Sequence, residues 1–268
     1  MTSAVSPSVV PAPAPKPNAL VEYLLRLGDD RLVLGHRLSE WCGHGPILEE
    51  DIALANVALD LLGQATMLLR LAGEVEGQGR NEDALAYFRE AIEFRNCQLA
   101  ELPNGDFAFT IARQFLFDVH AVVTLDALSS STHAELAAIA AKSLKEAKYH
   151  VRHSGEWMLK LGDGTAESHR RVQTAVDELW RFTGELFAAD DVDRAMQEAG
   201  IAPDLTPLRE RWLSLVREVM DQATLTLPND VPRLPNARGG RTGAHTEYLG
   251  HLLAEMQIVA RSHPGATW

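Results

Sequence analysis

The stretch KEAKYHVRHSGEW, residues 145–157, lies inside an uninterrupted helical pattern and carries carboxylate and imidazole groups at helical spacing. Four-helix bundles that bind two iron ions present Glu-x-x-His on a helix, because residues three apart share a face. Here Ala147 stands three residues before His150, and its methyl group cannot ligate a metal. Glu146 precedes His150 by four residues, which is not the di-iron spacing. The stretch therefore predicts a bundle helix whose metal motif is incomplete.

Composition limits the classes of partner and compartment. The 268 residues carry a formal net charge of −12, which argues against nucleic acid and against anionic membrane surfaces as partners. Cys42 and Cys97 form no metal or redox pattern, so two reduced, buried thiols are expected. We find no apolar run that approaches membrane-spanning length and no secretory signal, and we therefore expect a cytoplasmic protein.

The chain divides into a tail and one helical domain. Residues 1–18 are rich in alanine, proline, serine and valine, which predicts a disordered or polyproline-like tail. Residues 19–268 are predicted to form a single domain. Thr132-x-x-Glu135 has the sequence of a capping box, and Thr206 before Pro207 has that of an N-cap. No segment has a strand pattern. The predicted helices are 19–28, 29–42, 48–72, 81–99, 106–128, 132–161, 165–187, 192–199, 206–224 and 246–261.

Each of four long predicted helices carries one polar residue that stands out: Glu40, Gln64, Asp118 and His150. Asp118 lies within FLFDV, where an ionised carboxylate is costly unless it is paired or bound to a metal. One inward polar group per helix is how metal sites are built in bundle cores. The alternative is that these groups hydrogen-bond one another or lie on solvated faces.

The ligand count argues against a metal pair. A di-iron bundle site uses about four carboxylates and two histidines. The plausible set here has two carboxylates, one histidine and an amide. A single metal on Glu40, Asp118 and His150 is chemically allowed, but two highly charged ions would lack sufficient negative charge around them.

Six motifs resemble the non-catalytic, ferritin-like subunits of bacterial phenylacetyl-CoA epoxidase complexes. The similarity extends from about Leu20 to the C-terminus, so that only the tail is outside it. The motifs are SEWCGH (39–44), DIALAN (51–56), LDLLGQA (59–65), YHVRHSGEW (149–157), LGDGTAESHRR (161–171) and HTEYLG (245–250).

The resemblance implies an all-α protein, a ferritin-like four-helix bundle with additional flanking helices. It also implies a multicomponent oxygenase that epoxidises the ring of phenylacetyl-CoA during aerobic phenylacetate breakdown. The implied partners are a homologous catalytic subunit with a di-iron centre, a small bridging subunit, and a reductase that uses NADPH, FAD and an iron–sulfur cluster. This chain itself is expected to hold no cofactor and to have no catalytic residue.

The motif matches also imply where ligands have been lost. The first-helix Glu of catalytic relatives falls on Glu40, and the third-helix Asp falls on Asp118. The two Glu-x-x-His pairs fall on Leu61 with Gln64, and on Ala147 with His150; three of the six ligands are therefore absent. We expect the four polar residues to meet in the bundle core and to hydrogen-bond one another or nearby basic groups. We also expect a partner surface on helices 19–42 and 48–72. The competing hypotheses are a metal-active ferritin-like oxidase with an incomplete site, and a helical binding module unrelated to oxygenases.

Overall fold

The computed structural model of the chain describes residues 19–228 and 239–266, so the predicted tail 1–18 lies outside the described residues. The described part is helical and contains no β-strand, which confirms the all-α prediction. Its α-helices are α1 (Ala19–Ser39), α2 (Leu48–Glu76), α3 (Glu82–Tyr87), α4 (Gln98–Glu101), α5 (Phe107–Leu128), α6 (Ala134–Gly162), α7 (Ala166–Trp180), α8 (Asp191–Glu198), α9 (Leu205–Gln222) and α10 (Glu247–Ser262). Short 3-10 turns cover Ala91–Glu93, Thr183–Phe187 and Gly240–Thr242.

Helices α1, α2, α5 and α6 form a ferritin-like four-helix bundle, in which α1 packs on α2, α5 on α6, and α2 on α6. The α1–α2 pair runs antiparallel, since later residues of one helix meet earlier residues of its neighbour. Gly28 thus meets Leu69 whereas Gly35 meets Leu61. The core is continuous and is made mainly of buried leucine, alanine, valine and phenylalanine side chains. The remaining helices flank the bundle, as the resemblance implies.

Helix α1 is continuous, so the predicted break at Gly28 is wrong. Gly28 instead lets α1 approach α2 closely: a Cβ atom there would lie 2.8 Å from Leu69 Cδ2. The helix ends at Ser39 rather than at Cys42, and a turn follows it. Cys97 is buried as expected, but Cys42 lies in this turn and is exposed.

The predicted helix 81–99 is divided into α3, a 3-10 turn and α4. Asn81 does cap α3, because its side chain accepts a hydrogen bond from the Ala84 amide. Beyond α3, two carboxylates of α1 accept hydrogen bonds from backbone amides. Asp29 accepts from the Arg95 amide at 2.8 Å, and Asp30 accepts from the Cys97 amide at 2.7 Å. Amides bonded to carboxylates are not available to a helix, so the chain runs extended there.

Two predicted helix starts are wrong by one or two residues. His133 caps α6 in place of Thr132, whose hydroxyl donates to the Ala199 carbonyl at 3.2 Å. Asp204 caps α9 in place of Thr206, because its carboxylate reaches the Thr206 amide at 2.8 Å. The predicted helix 165–187 stops at Trp180 and is followed by a 3-10 turn. At the start of α6, the Ala199 carbonyl binds the hydroxyl that is expected to cap the helix. At the start of α9, Asp204 binds the amide of the expected cap residue, Thr206.

Helices α2 and α5 are long and apolar enough to cross a membrane, with mean hydropathies of 1.6 and 1.2 over their most apolar windows. The sequence-based statement that no run approaches this length is therefore too strict. Such helices also occur in the cores of soluble proteins. In α5, 89% of the window is buried inside the protein, as in a core helix, but in α2 only 44% is buried. Helix α2 consequently leaves an apolar face at the surface.

Candidate site in the bundle core and an exposed helix face

Five of the six positions implied by the resemblance are buried in the bundle. Leu61 and Gln64 lie on α2, Asp118 lies on α5, and Ala147 and His150 lie on α6. Their helices pack together as α2–α6 and α5–α6 pairs, which places all five in the interior.

Glu40 does not reach the core, and its assignment as an inward residue is corrected by the structure. Since α1 ends at Ser39, Glu40 belongs to the following turn and its side chain is 40% exposed. Its carboxylate accepts hydrogen bonds from Arg37 Nη1 at 2.7 Å and from Asn104 Nδ2 at 3.0 Å. The predicted meeting of four polar residues thus fails for Glu40.

The α1 residue that reaches Gln64 is Arg31. Arg31 is buried, and its Nε donates to Gln64 Oε1 at 2.9 Å while its Nη1 donates to the Leu27 carbonyl at 2.8 Å. Gln64 Nε2 in turn donates to Glu146 Oε2 at 2.8 Å. A hydrogen-bonded row of cation, amide and carboxylate therefore crosses from α1 through α2 to α6.

Sequence reasoning missed Arg31, although a signal was present. Arg31 falls in the apolar stripe of α1, which includes Leu24, Leu27, Leu34 and Leu38 at helical spacing. An arginine inside such a stripe indicates a buried cation that needs specific partners.

Asp118 is held by neutral donors. Gln114 Nε2 donates to its Oδ1 at 2.6 Å, and Ser154 Oγ donates to its Oδ2 at 2.8 Å. Burial raises the pKa of Asp118 to about 6, against the opposing effects of His150, the two hydrogen bonds and His153. The fold thus favours the protonated carboxyl group.

His150 is turned towards α2 rather than towards Asp118. Its Nε2 lies 3.0 Å from Asp60 Oδ2. One turn further along α6, His153 Nε2 lies 2.8 Å from Glu50 Oε2. Within the described ranges, no hydrogen bond joins any two of Glu40, Gln64, Asp118 and His150. Of the two expected arrangements, bonds among the four and bonds to nearby basic groups, only the second is found in the core, between Arg31 and Gln64.

These side chains do not fit a two-iron centre. Leu61 and Ala147 offer only hydrocarbon at the two positions where the resemblance implies carboxylate ligands. The amide of Gln64 is occupied by Arg31 and Glu146. Among residues 19–228 and 239–266, no three histidine, cysteine, aspartate or glutamate side chains are grouped so that they could hold a metal ion.

Replacing Asp118 with asparagine tests whether the core is adapted to a neutral group. The pKa of Asp118 in the folded protein, about 6, lies above its ordinary value of 3.8. The contribution of the protonated carboxyl group to the free energy of unfolding is therefore present at low pH and is lost as the pH rises through about 6. Above that pH, Asp118→Asn is expected to raise the free energy of unfolding by about 1–3 kcal/mol. Gln114 now turns its Nε2 towards residue 118; after its side-chain amide turns over, its Oε1, which has no partner, can accept from the new amide. Urea unfolding at pH 8 and pH 5 measures the effect, which should shrink at pH 5; a destabilised variant at pH 8 would contradict the interpretation.

The exposed side of α2 carries large apolar side chains. Leu48, Ile52 and Leu59 are 72%, 53% and 65% exposed, and they lie on one side of the helix at intervals of four and seven residues. Ile47 precedes them and is also exposed. We call Ile47, Leu48, Ile52 and Leu59 the α2 face. Exposed apolar patches on soluble proteins often mark interaction sites.

Several clefts lie elsewhere on the surface of the described residues. One of about 470 Å³ lies between α3 and α10, and one of about 680 Å³ lies where the ends of α5, α7 and α10 meet. None of the six positions implied by the resemblance lines either cleft. The core residues therefore do not open onto these two clefts.

Comparison with known proteins agrees with the resemblance drawn from the motifs. The model of a family described as "Phenylacetic acid catabolic protein" matches residues 7–268. The 1,2-phenylacetyl-CoA epoxidase of Escherichia coli (strain K12) has a subunit that is 49% identical over 251 residues, which cover 94% of this chain and 100% of that relative.

Proposed function

Since the chain belongs to the phenylacetic acid catabolic protein family, we propose that it is the structural, non-catalytic subunit of a di-iron oxygenase that epoxidises the ring of phenylacetyl-CoA. The observation that carries this proposal is the core of the bundle. Leu61 and Ala147 fill buried ligand positions with hydrocarbon, and hydrocarbon cannot hold iron. The chain keeps the fold of a metal-binding bundle, but at these positions its interior side chains pack and do not bind metal.

The second part of the proposal concerns the partner. A homologous catalytic subunit, carrying the di-iron centre, docks through its own helices on the α2 face. Packing of an apolar helix against such a face removes both surfaces from water, and obligate interfaces of this kind bury roughly 2,000 Å² or more. The name of the relative, a subunit of an epoxidase, supports an assembly of several chains.

The complex is completed by a small bridging subunit and by a reductase that delivers electrons from NADPH through FAD and an iron–sulfur cluster. These cofactors belong to the partners in this proposal, and the assembly works in the cytoplasm. This chain contributes no group to the reaction itself; its residues shape and cover the catalytic subunit.

The competing function is a metal-active oxidase with an incomplete site. The burial of Asp118 and His150 in the same bundle favours it, because both can ligate iron. Two observations count against it: the buried hydrocarbon side chains of Leu61 and Ala147, and the hydrogen bond between Gln64 and Arg31.

Elemental analysis distinguishes the two functions. We expect the purified chain to hold no stoichiometric iron, and the chain co-expressed with its catalytic partner to yield about two irons per pair of subunits, because only the partner has a complete ligand set. Phenylacetyl-CoA turnover by this chain with reductase alone is expected to be absent. About two irons in the isolated chain, or turnover without the partner, would establish the metal-active alternative.

A further inference from the structure

Arg31 lies on α1 opposite Gln64, one of the former ligand positions that the resemblance implies. In bundles of this class, each helix projects an inward ligand towards the shared centre. On α1 the residue in contact with the α2 position Gln64 is Arg31, at 2.9 Å. Glu40 lies nine residues further along, beyond the end of the helix, a distance of roughly 13 Å at the rise of an α-helix. Arg31 is therefore the α1 member of this core site.

The charge of Arg31 is buried without a direct carboxylate partner. Along the described chain its hydrogen bonds go to the Leu27 carbonyl and to the Gln64 side chain, and no ion pair includes it. Burial lowers its pKa, and the neighbouring charge of Asp30 opposes this effect. A guanidinium group nevertheless remains protonated in proteins, so a full positive charge sits in the core.

Gln64 explains how that charge is compensated. Its carbonyl oxygen accepts from the Arg31 cation, and its amide nitrogen donates to the Glu146 carboxylate. A primary amide has an acceptor at one end and donors at the other, which matches a cation on one side and an anion on the other. The row Arg31–Gln64–Glu146 thus joins three bundle helices by polar contacts.

We infer that Arg31 is a built-in cation that takes the place of the metal at the α1–α2 side of the core and excludes divalent ions from it. The inference rests on the proposed function, since it treats the core as a former metal site. It adds a specific cause of metal exclusion: an added positive ion would lie close to a fixed positive charge, in a region where charges are weakly screened. Restoring ligands alone should then fail to restore binding.

Two variants of the full chain test this inference. The first carries Leu61→Glu, Gln64→His and Ala147→Glu, which restores both Glu-x-x-His pairs, and the second adds Arg31→Glu. Ferrous iron binding is measured under anaerobic conditions by equilibrium dialysis with elemental analysis. We expect the second variant to bind iron at least about tenfold more tightly than the first, because it removes a repelling charge and adds a ligand. To separate these effects, a third variant carries Arg31→Met with the same three changes, and it is also expected to exceed the first. Equal iron affinity in the first and third variants would overturn the inference.

A double-mutant cycle tests the same inference without the restored ligands, in case the heavily substituted cores do not fold. Arg31→Met and Glu146→Gln are compared singly and together by urea unfolding. If Gln64 couples the Arg31 cation to the Glu146 carboxylate, the double variant should lower the unfolding midpoint by less than the sum of the two single variants. Additive losses would contradict the inference. Iron in the unmodified chain would overturn the proposed function instead, so the two failures can be told apart.

Discussion

Leu59→Glu is expected to separate this chain from the proposed catalytic partner while leaving its own fold intact. Leu59 is 65% exposed and belongs to the α2 face, so a carboxylate there costs the isolated chain little. In a complex it would be buried against apolar side chains without a partner, which is strongly unfavourable. We expect an affinity loss of about 100-fold or more, measured by co-purification and by titration with the catalytic subunit.

A matched control is available on another part of the surface. Ile258 of α10 is 58% exposed and apolar, so Ile258→Glu introduces the same charge at similar exposure away from the α2 face. That variant should bind the partner normally. Normal binding by Leu59→Glu, or equal loss in both variants, would contradict the location of the interface on the α2 face.

Arg89→Met is expected to produce a large loss of stability. Arg89 and Asp29 form a buried ion pair in which two guanidinium nitrogens face the two carboxylate oxygens. The Arg89 guanidinium also lies 4.3 Å from the centre of the Phe94 ring. Removing the cation leaves the Asp29 carboxylate buried and uncompensated, which typically costs about 3–5 kcal/mol. Chemical unfolding of the purified variant measures this loss.

Arg70→Met is the appropriate comparison for Arg89→Met. Arg70 pairs with Glu82 at the surface, and its side chain is 56% exposed, so its removal should leave the unfolding midpoint nearly unchanged. Combining Arg89→Met with Asp29→Asn should recover part of the stability, because the unpaired negative charge of Asp29 is then absent. Equal unfolding midpoints for Arg89→Met and Arg70→Met would show that the buried pair is not needed.

Local patterns predict the bundle helices well. Helices α2, α5 and α6 are predicted close to their observed bounds, because their apolar residues recur at helical spacing over more than five turns. Gly28 shows the limit of such patterns. Glycine can end a helix or allow close helix packing, and only the position of Leu69 on α2 decides between them.

The connection between α3 and α4 could not be predicted from local sequence. Its path is set by Asp29 and Asp30, which are more than sixty residues away and bind its backbone amides. No spacing rule encodes contacts between residues so far apart in the chain. The same limitation applies to Arg241, whose guanidinium reaches Asp30 from the C-terminal segment at 2.7 Å.

The candidate site is predicted in part. Five of its residues are buried because they lie on the inward sides of long helices: Leu61, Gln64, Asp118, Ala147 and His150. Glu40 is misplaced because the predicted helix extends three residues too far, to Cys42. The position of Arg31 in the apolar stripe of α1 indicates a buried cation, but its partner Gln64 is 33 residues away and is not encoded by local spacing. That these positions are a former metal site stays a proposal.

The most direct test of the central claim is reconstitution of the oxygenase with and without this chain. Catalytic subunit, bridging subunit, reductase, NADPH and phenylacetyl-CoA are combined, and epoxide formation is followed with the chain added, omitted, or replaced by Leu59→Glu. A structural role predicts full turnover only with the unmodified chain, and a catalytic partner that is poorly soluble or inactive alone. Full turnover in the complete absence of this chain would contradict the account.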